Sequence, residues 1–98
     1  MGLFCLGAFD RYRGMLLSLL GRHDEAVAAL TAALALEESV DAPTLTARTR
    51  YWLARALRQR DGPGDGERAD VELARSIETA EGLGMAGLFL AGRELANP

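Results

Sequence analysis

Residues 21–34, GRHDEAVAALTAAL, constrain the fold of this chain more than any other stretch. Gly21 ends the apolar run before it, and Asp24 is predicted to cap a helix by accepting from its free amide groups. Apolar residues then recur at steps of three and four, which places them on one helix face. These residues are Ala26, Val27, Leu30, Ala33 and Leu34. Because alanine lets a neighbouring helix approach closely, this helix is predicted to pair with the one before it.

The composition favours an all-α domain. The chain has 98 residues, enough for one domain, and alanine and leucine dominate while β-branched residues are scarce. The formal net charge is −3, which argues against broad nucleic-acid binding because neutralising phosphates requires a surplus of basic residues. We therefore expect a helical domain with no nucleic-acid partner.

The first ten residues indicate the cellular compartment. Cys5 is the only cysteine, so no internal disulfide can form and a reducing compartment is expected. The apolar N-terminus has no basic segment of the kind that starts a signal peptide, and it is too short to cross a bilayer. We expect a cytoplasmic protein with no membrane partner.

The hydrophobic periodicity predicts four helices and a short fifth. The predicted ranges are 8–20, 24–38, 44–60, 67–81 and 86–95. Pro43 biases the preceding residue away from helix, the sequence DGPGDG at 61–66 is typical of a loop, and Gly82 and Gly84 are predicted to close the fourth helix. The first helix carries apolar residues at helical spacing around Gly14. They are Phe9, Tyr12, Leu16, Leu17 and Leu20.

Two helical hairpins can be aligned on four positions with small or leucine side chains. The equivalent pairs are Gly14 and Ala54, Ala26 and Ala69, Leu30 and Leu73, and Ala33 and Ser76. This pattern resembles the tetratricopeptide (TPR) repeat, whose helix pairs stack into a superhelix. It divides a single domain, 1–98, into repeats at about 8–40 and 44–82 and a partial third pair at 86–95. Gly14 is predicted to face Ala26 and Ala33.

A second resemblance covers nearly the whole chain, from about Gly7 to Leu88. The sequences GAFDRYRGMLLSLLGRHDEAVAAL, DAPTLTARTRYWLARALRQRDGPGDGERA and ETAEGLGM resemble the C-terminal helical-repeat region of large bacterial signalling proteins. Those proteins carry an ATPase module beside an adenylate-cyclase or LuxR-type regulatory domain. The resemblance implies a sensory or scaffolding region, either as a fragment of a regulator or as a stand-alone chain.

Three patterns suggest chemistry but fit structural roles better. GLGMAG at 82–87 satisfies G-x-G-x-x-G, yet a helix precedes it where a nucleotide site needs a strand. Residues 61–72 place Asp61, Asp65 and Glu72 as in a calcium loop, but Pro63 occupies a ligand position. His23 and Cys5 cannot supply the four ligands of a zinc site, and nothing orients the histidine for catalysis. We predict no catalytic residue, metal or cofactor.

Arginines dominate the third predicted helix. They are Arg48, Arg50, Arg55, Arg58 and Arg60. One interpretation is a solvated face that offsets the acidic second and fourth helices. The other notes that Arg48, Arg55 and Arg58 share one side, the side that lines the concave groove in the TPR family. The predicted peptide-binding groove combines residues of the first and third helices. They are Arg11, Met15, Leu19, Arg48, Tyr51, Arg55 and Arg58.

The sequence thus favours a non-catalytic protein–protein interaction module, within a bacterial signalling or transcriptional regulator or as its adaptor. An acidic peptide segment is the expected ligand, because arginines hold carboxylates through paired hydrogen bonds. The alternative is a DNA-binding regulator that uses the arginine-rich third helix. Uncovered apolar faces at the ends of the repeats also predict self-association or binding to a parent protein.

Overall fold

The computed structural model describes the backbone of residues 2–96 and the side chains from residue 9 onward. These residues form five α-helices and no strand, so the predicted all-α class is confirmed. The helices are α1 (Gly2–Leu19), α2 (His23–Ser39), α3 (Pro43–Arg60), α4 (Asp65–Gly82) and α5 (Ala86–Ala96). Their boundaries lie within two residues of the prediction, except that α1 begins at Gly2 rather than at residue 8. Residues 2–7 contain no proline that would separate them from the helix.

Gly21 ends α1 as the sequence predicts. Its φ of +79° lies in the left-handed region, and the amide of Arg22 donates to the carbonyl of Leu17 over 2.9 Å. This hydrogen bond across the turn satisfies one of the last carbonyls of α1. The chain then reverses and enters α2 directly.

The prediction that Asp24 caps α2 is wrong. Arg22 occupies the position before the helix, and no side chain makes a capping hydrogen bond there. Because α2 begins at His23, Asp24 already lies within the first turn and not ahead of the free amide groups. Its carboxylate instead accepts from Nη1 of Arg60 at 3.3 Å, which links the start of α2 to the end of α3.

Each helix packs against the next one along the chain, and smaller contacts join α1 to α3 and α3 to α5. The core between them is made mostly of leucines and alanines, which come mainly from α2, α3 and α4. All eight residues predicted to pack the repeats are buried. They are Gly14, Ala26, Leu30, Ala33, Ala54, Ala69, Leu73 and Ser76. Ser76 also donates from Oγ to the carbonyl of Ala47 at 2.7 Å, so this small residue ties α4 to α3.

The neighbour of Gly14 differs from the prediction. A Cβ atom added at Gly14 would lie 2.5 Å from Cγ and 2.8 Å from Cδ2 of Leu30, and the nearest backbone atom is the nitrogen of Leu30. Leu30 shares its helix face with Ala26 and Ala33, so the face was identified correctly and the contacting residue was not. The glycine makes room for a leucine side chain, whereas the alanines were expected to fill that position.

The apolar residues of α1 are divided between the core and the surface. Leu17 is buried in the core, but a row of large apolar side chains on another side of the helix is exposed by 58 to 74%. We call this row the α1 stripe. It consists of Phe9, Tyr12, Leu16, Leu19 and Leu20. Helical periodicity identified the row but could not decide which face the rest of the chain covers.

Candidate functional site

A cavity of about 260 Å³ lies between α1, α3 and α5. Its lining combines aromatic, aliphatic and arginine side chains from the three helices. They are Arg11, Tyr12, Met15, Leu45, Arg48, Tyr51, Trp52 and Leu88. Four of the seven predicted groove residues, Arg11, Met15, Arg48 and Tyr51, are therefore brought together. Leu19 belongs to the exposed α1 stripe, and it does not line the cavity.

The aromatic wall of the cavity comes from α3. The rings of Tyr51 and Trp52 meet edge to face with their centroids 5.9 Å apart. The guanidinium carbon of Arg55 lies 4.8 Å from the centroid of the Trp52 ring, within the range of a cation–π interaction. Arg55 thus borders the cavity through Trp52, although it does not line it.

Trp52 and Leu45 line the cavity, although the groove predicted from the sequence did not include them. A signal was present in the spacing. Leu45, Arg48, Trp52 and Arg55 follow one another at steps of three, four and three, which is the repeat of a single helix face. Leu88 on α5 could not be found in this way, because its position depends on how α5 packs against α4.

Arg11 is fixed by a buried polar network that joins three helices. Its Nη1 donates to Oε2 of Glu37 at 3.0 Å, and Oε1 of the same carboxylate accepts from Oγ1 of Thr49 at 2.5 Å. Arg11, Glu37 and Thr49 are all buried. The carboxylate therefore has a partner on α1 and another on α3. Arg11 is a wall of the cavity whose charge is already balanced, and it is not a free cation.

Arg50 and Arg60 bind acidic residues of the helices on either side of α3. Nη2 of Arg50 donates to Glu38 at 3.2 Å, and its Nε lies 3.6 Å from Oε2 of Glu72. Arg60 donates twice to Asp65, at 2.7 and 2.8 Å. These contacts match the interpretation in which arginines of α3 offset the acidic charge of α2 and α4.

Arg58 was predicted to line the groove, and this is wrong. It donates to the backbone carbonyl of Leu95 and, at 2.9 Å, to the carboxylate of Asp70. Arg58 lies at the edge of the predicted arginine face, so its long side chain reaches α4 and α5 instead. Among residues 9–96, Arg48 and Arg55 have no carboxylate partner, and Arg48 is exposed at the cavity.

Asp65, in the 61–72 segment, has a structural partner in Arg60. The two hydrogen bonds from Arg60, helped by the amide of Gly62 at 3.0 Å, lower the pKa of Asp65 to about 2 although burial opposes the shift. The same pairing raises the pKa of Arg60 above its ordinary range. Within the described part of the chain, no group of three or more His, Cys, Asp or Glu side chains is placed to hold a metal ion.

The G-x-G-x-x-G pattern marks the end of a helix. Gly82 is the last residue of α4, Gly84 has a φ of +70°, and the amide of Met85 donates to the carbonyl of Ala80 at 2.8 Å. This is the same kind of turn that ends α1. His23 begins α2, whereas the side chain of Cys5 lies outside the described residues.

No helix in the described range 2–96 has the length and apolar character needed to span a membrane. Comparison of the chain with protein-family models, with curated proteins and with solved structures finds no match. The resemblances to the TPR repeat and to bacterial signalling regulators stay predictions. The function is therefore inferred from the geometry of the cavity.

Proposed function

We propose that this chain is a non-catalytic protein-interaction module, and that the cavity between α1, α3 and α5 binds an acidic peptide segment with apolar side chains. The single observation that carries this proposal is Arg48. It is exposed, it has no carboxylate partner among the described residues, and it stands beside the aromatic wall of the cavity. An arginine in this setting can hold a carboxylate through two hydrogen bonds.

The other side chains of the cavity offer an apolar surface for the apolar side chains of the peptide. Met15 and Leu45 offer flexible aliphatic surface, while Tyr51 and Trp52 offer aromatic surface. Arg55 adds a second positive charge next to Trp52, and no carboxylate of the described residues neutralises it. Peptides with acidic side chains between apolar ones would match this alternation of arginine and apolar surface.

DNA binding through α3 receives less support from the same contacts. A recognition helix needs basic side chains that are free to reach phosphates and base edges. On α3, Arg50, Arg58 and Arg60 are already engaged by carboxylates of neighbouring helices. Two arginines that border a cavity do not form the extended basic surface that phosphate neutralisation requires.

We also propose which kind of protein contains this module. A helical-repeat region of a bacterial signalling or transcriptional regulator, or an adaptor to one, is a context in which such a groove would capture a segment of a parent or partner protein. The resemblance described for residues 7–88 supports this setting, and the interaction itself can be tested on the isolated chain.

The test is a titration with acidic-apolar peptides and with matched peptides in which lysine replaces each acidic residue. We expect the acidic set to bind more tightly, with affinity that falls as salt rises because exposed charges are screened. Arg48→Glu should weaken binding of the acidic peptides by at least about tenfold, because one ion pair is lost and a repulsion is added. Arg55→Glu should act in the same direction.

Arg75→Glu is the matched control. Arg75 is an exposed arginine of α4 that does not line the cavity, and its reversal changes the net charge by the same amount. Circular dichroism checks that each variant stays folded. If the acidic peptides show no preference, or if Arg48→Glu and Arg75→Glu bind alike, the cavity is not a site for such peptides.

A further inference from the structure

The α1 stripe is a second candidate interaction surface, separate from the cavity. Its five side chains follow the helix from Phe9 to Leu20 on one side and are each more than half exposed. Scattered apolar residues are normal on a protein surface, but a continuous row of five on one helix marks an interaction surface. Tyr12 stands at its edge and also lines the cavity, while the other four belong to the stripe alone.

The repeat alignment shows how the same face is used elsewhere in the fold. With Gly14 equivalent to Ala54, Phe9 corresponds to Thr49 and Leu16 corresponds to Ala56. Thr49 and Ala56 are fully buried on α3, where α2 packs, and Thr49 donates to Glu37 of α2. The part of this face that is covered on α3, at Thr49 and Ala56, is therefore open on α1 at Phe9 and Leu16. The geometry of one such helix pairing is already present within the chain.

We propose that the α1 stripe packs against the α1 stripe of a second copy of this chain, with the two helices antiparallel. In such a two-fold contact the same surface serves both subunits, so it must be complementary to itself. The stripe meets this condition, because it has aromatic side chains at one end and leucines at the other. An antiparallel pairing centred near Met15 brings Phe9 of each subunit opposite Leu20 of the other.

The charges beside the stripe fit the antiparallel arrangement. Opposed helix dipoles attract each other, and a cation is favoured near a helix C-terminus. α1 has no basic residue in its own last turn, and Arg13 has no acidic partner among the described residues. In a pairing centred near Met15, Arg13 lies opposite Leu16 of the partner subunit and can reach the carbonyls at the end of its helix.

The area of the stripe fits a small dimer interface. Two aromatic and three leucine side chains at these exposures offer roughly 600 Å² on each copy, which gives a total near the lower limit for a specific protein interface. A membrane surface is a weaker match. The described part of α1 carries Arg11 and Arg13 against Asp10, and Arg11 is buried, so no basic cluster attracts anionic lipids.

The first test is sedimentation velocity across a wide concentration range. We expect wild type to pass from monomer to dimer, and we expect the double variant Leu16→Glu with Leu20→Glu to dimerise at least about 100-fold more weakly, since two buried leucines are replaced by like charges on both subunits. The control is Val71→Glu with Leu90→Glu, which adds the same charge at exposed apolar residues of α4 and α5. It should dimerise like wild type.

The second test decides the direction of the helices by disulfide cross-linking in a Cys5→Ser background. One variant carries Phe9→Cys and the other Leu20→Cys. Antiparallel pairing predicts that a cross-linked dimer forms efficiently when the two variants are mixed, and that neither variant alone forms it to a similar extent. Cross-linking of each variant with itself and not in the mixture would indicate parallel helices and overturn the arrangement.

Three further results would overturn the proposal. Wild type could stay monomeric at every concentration, the Leu16→Glu and Leu20→Glu variant could dimerise as well as wild type, or a monomeric wild type could float with phosphatidylserine vesicles. Circular dichroism of both double variants shows that they remain helical. The peptide titration of Arg48→Glu is independent of all these outcomes, because Arg48 lies outside the stripe.

Discussion

Arg11 of α1 and Glu37 of α2 form a buried ion pair, with Nη1 of Arg11 3.0 Å from Oε2 of Glu37 and side-chain exposures of 10 and 4%. Thr49 of α3 donates to the other carboxylate oxygen, so one acidic side chain holds three helices together. This network also fixes one wall of the cavity, because Arg11 lines it. The stability of the fold and the shape of the candidate site therefore depend on the same carboxylate.

We expect Glu37→Ala to lower the free energy of unfolding by about 3 to 5 kcal/mol, because it leaves the Arg11 guanidinium buried without a partner. The double variant Arg11→Met with Glu37→Leu should recover most of this loss, since it removes both charges and fills their space. Urea denaturation followed by circular dichroism measures both. A double variant that is as unstable as Glu37→Ala would show that the ion pair itself, and not the unpaired charge, determines stability.

We expect Gly14→Ala to destabilise the chain by about 1 to 3 kcal/mol, because the new Cβ would lie 2.5 Å from Cγ of Leu30 and the leucine branch point has to move. This is the net loss that remains after the gain of about 1 kcal/mol that alanine normally brings to a helix. Gly66→Ala on α4 is the matched control, because nothing lies within 4 Å of its added Cβ. The control should be neutral or stabilising, and equal behaviour of the two variants in a thermal melt would contradict the close packing at Gly14.

We expect part of the stability to disappear in acid through Asp65. Its pKa in the folded chain is lowered from 3.8 to about 2, so folding favours the ionised carboxylate. The contribution is fully present above about pH 4 and is lost as the pH falls towards 2. Urea midpoints measured between these two pH values should fall more steeply for wild type than for Asp65→Asn, and parallel curves would contradict the pairing with Arg60.

We expect Arg58→Ala to loosen α5 without unfolding the domain. Its hydrogen bond to the carbonyl of Leu95 ties the end of α3 to the end of α5, and one such bond contributes about 1 kcal/mol. Hydrogen exchange followed by mass spectrometry should show faster exchange in α5 and little change in α2. Arg55→Ala is the control, because Arg55 stacks over Trp52 on its own helix.

Most of the fold could be predicted from local signals. Gly21 and Gly84 end helices with a positive φ, and Pro43 begins α3. Apolar residues that recur at steps of three and four predict the helices between these positions. The burial of Ala26, Leu30 and their equivalents in the second hairpin followed from the same spacing. These properties depend on neighbours that are close in sequence.

The candidate site could be predicted only in part, because it depends on tertiary neighbours. Arg58 shares a helix face with Arg48 in the sequence, yet an accepting carbonyl on α5 and a carboxylate on α4 draw its side chain away. Likewise, Leu16 and Leu17 have the same hydrophobicity, and only the placement of α2 decides that Leu17 is buried while Leu16 is exposed. Long side chains and competing apolar faces are the features that sequence periodicity leaves undetermined.

The packing of each helix mainly against its neighbour in the chain has a kinetic consequence. Contacts between residues close in sequence require little loop closure before they form, so we expect the low contact order that is typical of fast-folding helical proteins. Folding within microseconds to milliseconds is expected for such a topology. We therefore expect the hairpin of α1 and α2 to form before α5 packs. The cavity needs α1, α3 and α5 together, so we expect it to be completed last.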